Sequence, residues 1–343
     1  MKNISSTAFQ EIITYREDGL TEKKIGSSFF RGKKGVQFNP YKKDYHETLF
    51  LKKYVLKGWA PDNPVIHRDT QVTAFGSCFA QNISNHLAKR KYNLTAEKSP
   101  DIYISYMGEG MVNVHAIAQQ FEWALEDKTI PDGLWHGYKA EDYGVDETIR
   151  LHTKKALLET DFFILTLGLS EVWEDVVTGE IFWRAVPASK FDESRHRFRV
   201  LSMNETKEKI DQIYSIIRKN VPTAKVLFTL SPVPLAATFR QISCISANSI
   251  SKSILRASLD EFLREYSEDL GENLFYFPSY EVISELFFNK FGDDGRHPQR
   301  EIIDLIMNMF EGTFCESELE WSKIEQSYKE MRERNLKNAF VLR

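Results

Sequence analysis

Three short runs, DFFILTLG (161–168), KVLFTLSP (225–232) and NLFYFPSY (273–280), are apolar at nearly every position and carry glycine or proline at or near their ends. A strand reads this way when both of its faces are covered, because successive side chains point to opposite sides and each must meet a packed layer. The stretches between them supply that cover. HAIAQQFEWAL (115–125) and ANSISKSILRASLDEFLREYSE (247–268) read as helices, and ETKEKIDQIYSIIRKN (205–220) puts Ile210, Ile213, Ile216 and Ile217 on one side. A further strand, TQVTAF (70–75), is broken by Gly76-Ser77-Cys78, after which Phe79, Ile83 and Leu87 recur four apart, the spacing of one helical face. Lys89, Arg90 and Lys91 then suit the negative end of that helix. Alternating strands and helices of these lengths predict an α/β fold with an open, mostly parallel sheet.

The flanks break this rhythm. Residues 1–65 are weakly patterned and are expected to form an N-terminal extension packed on the core. Within them KNISSTAFQEIITYRED reads as a helix and FFRGKKGVQFNPYKK as loops or short strands. The main domain is expected over 66–315 and a helical tail over 316–343, packed by Leu319, Trp321, Ile324 and Tyr328. Residues 174–203 have no helical period and a turn at Thr178-Gly179, which predicts a hairpin insertion beside the site. The 343 residues carry a formal net charge of −4, which speaks against nucleic acid or an anionic membrane as partner. Three cysteines are too few and too odd in number for a disulfide framework. No stretch approaches a membrane span of about 20 apolar residues, and the N-terminus has no signal-peptide core. The expected location is the cytoplasm, with thiols free.

In open α/β sheets, sites form beyond the C-terminal ends of the strands. Four such ends carry chemistry: Gly76-Ser77-Cys78, Gly168-Leu169-Ser170-Glu171, Ser231-Pro232-Val233-Pro234, and the loop reaching Asp293-Asp294-Gly295-Arg296-His297-Pro298. A nucleophile at the first would sit against free helix N–H groups that can receive an oxyanion. The helix dipole would also lower a thiol pKa. Gly76 would keep the turn tight and let a substrate approach. Spacing alone leaves Ser77, Cys78 and a plain turn with a buried, inert cysteine all open. At the last end, Asp294 and His297 have the separation at which a carboxylate can hold an imidazole Nδ1, although alone they also read as a solvated acidic turn. His115 opens a helix and is a lesser candidate; His86, His136, His152 and His196 read as surface or loop residues. No H-E-x-x-H, C-x-x-C or phosphate-binding glycine loop occurs, so no metal and no tightly bound cofactor are expected. Trp123, Trp135, Trp173 and Trp183 flank the candidate loops, where sugars could stack.

The blocks FGSCFA (75–80), LTLGLSEVWED (165–175), LFTLSPVPLAATF (227–239), SANSISKSILRA (246–257), YFPSYEVI (276–283) and DDGRHP (293–298) together resemble the GSCFA-domain family, over roughly residues 70 to 300. That family is similar to the SGNH/GDSL hydrolases, whose likeness implies a flavodoxin-like three-layer α/β/α sandwich. It also implies Cys78 as nucleophile, His297 as proton shuttle and Asp294 as its orienting partner. The same likeness implies oxyanion or substrate contacts from Gly76, Ser77, Gly108, Gly110, Asn113, Gly168, Ser170 and Glu171. It does not choose between Gly108 and Gly110, and it puts Ser170 where SGNH enzymes have an oxyanion-binding asparagine. The function so implied is acyl transfer or ester hydrolysis on a sugar or polysaccharide, with an acyl-coenzyme A as possible co-substrate. A Ser77-dependent esterase and a non-catalytic glycan-binding domain of the same fold are the alternatives.

Overall fold

The computed structural model describes residues 9–15, 21–27, 37–137 and 139–341. The chain divides into two compact units, Met1–Glu47 and Thr48–Arg343. In the first, β1 (Phe9–Tyr15) pairs antiparallel with β2 (Thr21–Ser27), Phe9 opposite Ser27 and Tyr15 opposite Thr21. This corrects the helix expected there: FQEIITY is rich in β-branched and aromatic residues, which suit a pleated strand. The rest of that expected helix, and residues 29–36 of the basic stretch, lie outside the described residues. The expected boundary at 65 is also corrected. Residues from Thr48 onward belong to the larger unit; Phe50 stacks on Tyr328 at 5.4 Å and the Leu51 N–H donates to Glu325 Oε1 at 3.0 Å.

The larger unit is built on a parallel sheet in the order β3 (Val72–Phe75), β4 (Phe162–Leu167), β8 (Lys225–Leu230), β9 (Leu274–Phe277). Outside β3, Leu94 makes a single parallel bridge to Val72, and the Val72 N–H donates to Asn93 O at 2.9 Å. With Leu94 counted as a vestigial second strand, the order is the 2-1-3-4-5 of flavodoxin-like sheets. Side-chain alternation builds the two outer layers. On one face, Phe163 meets Phe121 and Phe228 meets Phe262, at 5.5 and 5.6 Å. These partners lie on α2 (Val114–Leu125) and α5 (Cys244–Glu265), with α4 (Met203–Asn220) packed between them and α3 (Glu147–Leu158) beside α2. On the other face, Phe275 meets Phe314 and Phe277 meets Phe310, at 6.1 and 5.4 Å. That face is covered by α1 (Cys78–Lys89) and α7 (Arg300–Phe314), with α6 (Ser279–Leu286) packed on α7. Each phenylalanine so enclosed contributes about 2 kcal/mol of burial. The result is the three-layer sandwich expected.

The tail helix α8 (Trp321–Val341) packs on α7 by Ile324 and Tyr328, both buried, and Trp321 Nε1 donates to Gly312 O at 2.9 Å. Residues 171–200 form a second, antiparallel sheet in the order β6 (Glu180–Ile181), β5 (Glu171–Asp175), β7 (His196–Val200). The expected turn at Thr178-Gly179 joins β5 to β6, with Gly179 at φ +74°. Because β5 begins four residues after β4 ends, this insertion starts at the C-terminal edge of the main sheet.

Candidate active site

Strand order reverses between Leu94 and β4, on either side of β3, so the crevice such sheets use for ligands opens at the C-terminal end of β3. Gly76-Ser77-Cys78 lies there. Gly76 takes φ +129°, and a Cβ added to it would lie 2.2 Å from Thr166 O. Its missing side chain therefore faces the β4 backbone, which corrects the expected reason for glycine: it admits the neighbouring strand, not a substrate. The Gly76 N–H donates to Gly108 O at 2.8 Å, which ties the turn to the YMGEGMVN loop. Ser77 is the N-cap of α1; its buried hydroxyl accepts from the Phe79 N–H at 3.2 Å. Cys78 is the first helical residue, half-buried, and its thiol makes no hydrogen bond to another residue among the described residues. The Cys78 N–H is one of the orphan donors of the helix start.

The expected drop in the thiol pKa does not occur in the resting protein. Burial pushes the Cys78 thiol up and the Glu109 carboxylate adds to it, while Lys252, Arg296 and the Cys78 N–H pull it down. Burial wins because an anion enclosed in protein loses its water.

The DDGRHP loop forms a second constellation. Asp294 Oδ1 accepts from the Arg296 and His297 N–H groups, each at 2.9 Å, and Oδ2 pairs with His297 Nδ1. These bonds, the backbone N–H of Arg296 first, hold the Asp294 carboxyl far below the usual carboxylate range. They also leave His297 Nε2 as the ring atom free to work. The imidazole is half-exposed and makes no bond to Cys78. Arg296, from the same loop, is among the charges acting on Cys78, and its guanidinium donates to Pro234 O at 3.2 and 3.3 Å. Beside this loop is a largely apolar cleft of about 410 Å³, lined by Pro232, Leu235, Cys244, Ile283, Phe291 and Arg296 among others. A larger groove of about 640 Å³ runs between α1 and α7 along His86, Lys89 and Arg300; Cys78 lines neither of the two.

The other expected contacts fare unevenly. The Gly110 N–H is used on Met107 O at 2.8 Å, whereas that of Gly108 makes no such bond. Asn113 is a structural residue: its Oδ1 caps α2 at Ala116, and its Nδ2 donates to Phe182 O and Trp183 O. Asn113→Ala is accordingly expected to cost about 2 kcal/mol in urea unfolding and leave KM unchanged, since it removes a cap and two buried bonds. The Gly168 carbonyl is taken, and a Cβ at Gly168 would lie 2.6 Å from Val112 O. Ser170 is fully buried, its hydroxyl 3.2 Å from Ser251 Oγ. Glu171 is buried with both carboxyl oxygens lacking a hydrogen-bond partner among the described residues. His115 bonds Glu205 at 3.0 Å and His86 bonds Glu311 at 2.7 Å, each serving the fold. Trp123, Trp135 and Trp183 are core residues within one aromatic cluster, so they offer no platform to a sugar. Trp173 differs. On β5 it meets Phe191, Phe198 and Phe239 at 5.5, 5.8 and 4.8 Å, along an outer cleft of about 460 Å³.

One residue was given no role from sequence. Lys252, on α5, is fully buried; Nζ donates to Gly168 O at 2.6 Å and to Ser231 O at 2.7 Å. Burial pulls its pKa down to about 7, against the raising effect of Cys78. A signal for it exists: Lys252 shares a helical face with Leu255, Leu259 and Phe262, all buried, where a lysine has no reason to be unless something polar awaits it.

No helix among the described residues is long and apolar enough to cross a membrane. No three His, Cys, Asp or Glu side chains among them converge as metal ligands. Comparison with curated proteins finds none that matches. The model of the GSCFA family matches residues 71–310, from β3 through α7, and so takes in Cys78, Lys252, Asp294 and His297. A match over well more than half of the chain, containing the whole sandwich and its switch-point turn, settles kinship: the chain belongs to the GSCFA family.

Proposed function

We propose that this protein is an acyl-transfer enzyme acting on O-acyl groups of a sugar or polysaccharide, through a covalent acyl-cysteine. The observation that carries the reading is the place of Cys78. It opens a twelve-residue helix at the switch point of the sheet, on the turn that the Gly76 N–H ties to Gly108 O, and the Gly108 N–H makes no backbone hydrogen bond among the described residues. The sulfur attacks the acyl carbonyl and its proton passes to His297 Nε2, with Asp294 holding Nδ1. The carbonyl oxygen, now anionic, is received by the Cys78 and Gly108 N–H groups. Collapse expels the leaving alcohol or thiol, which takes the proton from His297. Water or an acceptor hydroxyl then removes the acyl group from sulfur. Closure of His297 onto Cys78 is left to the substrate complex, since catalytic hydrogen bonds are often long before substrate arrives.

Ser77 supports this choice of nucleophile by being spent as a cap, which weighs against a serine esterase. The apolar cleft along Arg296 suits the acyl chain. An acyl-coenzyme A suits the donor role, because thiol and thioester exchange readily. The setting proposed is the reducing cytoplasm, where the three unpaired cysteines remain thiols. Kinship with SGNH hydrolases is part of the same proposal.

The test is incubation with p-nitrophenyl acetate, and separately with acetyl-coenzyme A and a sugar acceptor. The expected result is a burst of released thiol or phenol with one acetyl group on Cys78 by peptide mass spectrometry. Neither burst nor adduct with either donor would overturn it in favour of a glycan-binding domain without catalysis. That second reading is favoured by the half-exposed aromatic face of Phe191 and Phe239 around Trp173, on which a sugar could stack.

A further inference from the structure

Lys252 poses a problem of charge. An ammonium has three N–H donors, and two of them are spent on Gly168 O and Ser231 O. Those are the first carbonyls past the ends of β4 and β8, where the strand ladder stops and acceptors go unmatched. A neutral donor would tie them together as well. A cation enclosed in protein costs far more, unless an anion shares the enclosure. Among the described residues no carboxylate pairs with Lys252. Cys78 stands at the same end of the sheet: Gly76, two residues before it, abuts Thr166 O of β4, and Lys252 holds Gly168 O two residues further along; the charges that act on Lys252 are those of Cys78 and Arg296. Seen from Cys78, the facing charges are Glu109 from the YMGEGMVN loop, Arg296 from the DDGRHP loop and Lys252 from α5. Arg296 is tied to Pro234 O at the cleft wall, so Lys252 is the fully buried cation of the site.

We infer that Lys252 is the charge partner of Cys78, its ammonium stabilising the anion that forms there, first on sulfur and then on the oxygen of the adduct. This rests on Cys78 being the attacking atom. Once the anion forms, Lys252 is held as the ammonium; the thiol proton still leaves to His297, and no bond between Nζ and the substrate is made. It is a positioning residue that acts through its field, and its third N–H is directed to no protein acceptor among the described residues. It fills the role left open where Ser170, turned toward Ser251, stands in the place of a donor amide.

The test reads the thiol, not acyl turnover, so it fails or succeeds independently of the proposed reaction. Alkylation of Cys78 by iodoacetamide is followed across pH by peptide mass spectrometry. Lys252→Met should raise the midpoint by about one pH unit or more, a roughly tenfold slower rate at any pH below it. Lys252→Arg, which keeps a permanent charge, should hold the midpoint at or below that of the wild type. Overlapping profiles for the wild type and Lys252→Met would overturn the inference. Since Lys252→Met also removes the strap between two strands, a second measurement leaves the lysine in place. In protein labelled with 13C-lysine, the resonance that disappears in Lys252→Arg reports Lys252. That resonance should titrate about one pH unit higher in Cys78→Asp than in Cys78→Asn. Equal midpoints would overturn the inference whether or not Lys252→Met folds.

Discussion

Cys78→Ala is expected to lower acyl turnover by about 10⁴- to 10⁶-fold, the range in which loss of a nucleophile or its partners falls in acyl-transfer triads. Ser77→Ala should keep most of the activity. The two side chains are adjacent, yet the fold treats them differently. The Ser77 hydroxyl is buried against the Phe79 N–H as the cap of α1, and the Cys78 thiol makes no hydrogen bond to another side chain among the described residues. Removing the cap should cost about 1 kcal/mol, seen as a drop in Tm of about 2 °C. Removing the thiol should cost little stability and nearly all turnover. Steady-state kinetics and thermal melts on both variants check this together. Activity surviving in Cys78→Ala and lost in Ser77→Ala, with both proteins folded, would assign the chemistry to serine.

How much of this was legible beforehand depended on how local each signal was. The main sheet was readable because β4, β8 and β9 are buried on both faces, and full burial writes itself into every position of a strand. The β1–β2 hairpin was misread because Phe9, Ile12 and Ile13 have helical spacing in a segment whose polar residues do not alternate. The strand-to-helix turn at Cys78 and the contact between Asp294 and His297 were legible since each is made with immediate neighbours in a turn. The roles of Asn113, Ser170 and three of the tryptophans were not, because their partners come from distant segments: Asn113 bonds Phe182 and Trp183, and Ser170 meets Ser251. Lys252 is the sharpest case. Its two acceptors, Gly168 and Ser231, and the thiol whose charge acts on it come from three different strand ends, which no spacing brings together.

Gly76→Ala is expected to be the most damaging single-methyl change near the site. Two costs fall on it. At φ +129° an alanine is strained, and its Cβ would sit 2.2 Å from Thr166 O, with Thr166 N and C at 2.9 and 3.0 Å. Those are backbone atoms of β4, one residue from its end, so no side chain can swing aside. Relief requires the β3–β4 pair to part where Phe75 faces Leu165, or the turn to move outward and carry Cys78 with it. The first route should cost upwards of about 3 kcal/mol in urea unfolding. The second should leave a folded protein whose turnover falls by about 10²-fold, because a shift of about 1 Å in a reacting atom is enough for that. Gly179→Ala separates the contributions. Gly179 has φ +74° in the β5–β6 turn, and an added Cβ there meets nothing within 4 Å. It therefore bears only the left-handed strain, about 1 kcal/mol. If Gly76→Ala proved no more costly than Gly179→Ala in stability and left turnover intact, the close approach of the turn to β4 would not be what places Cys78.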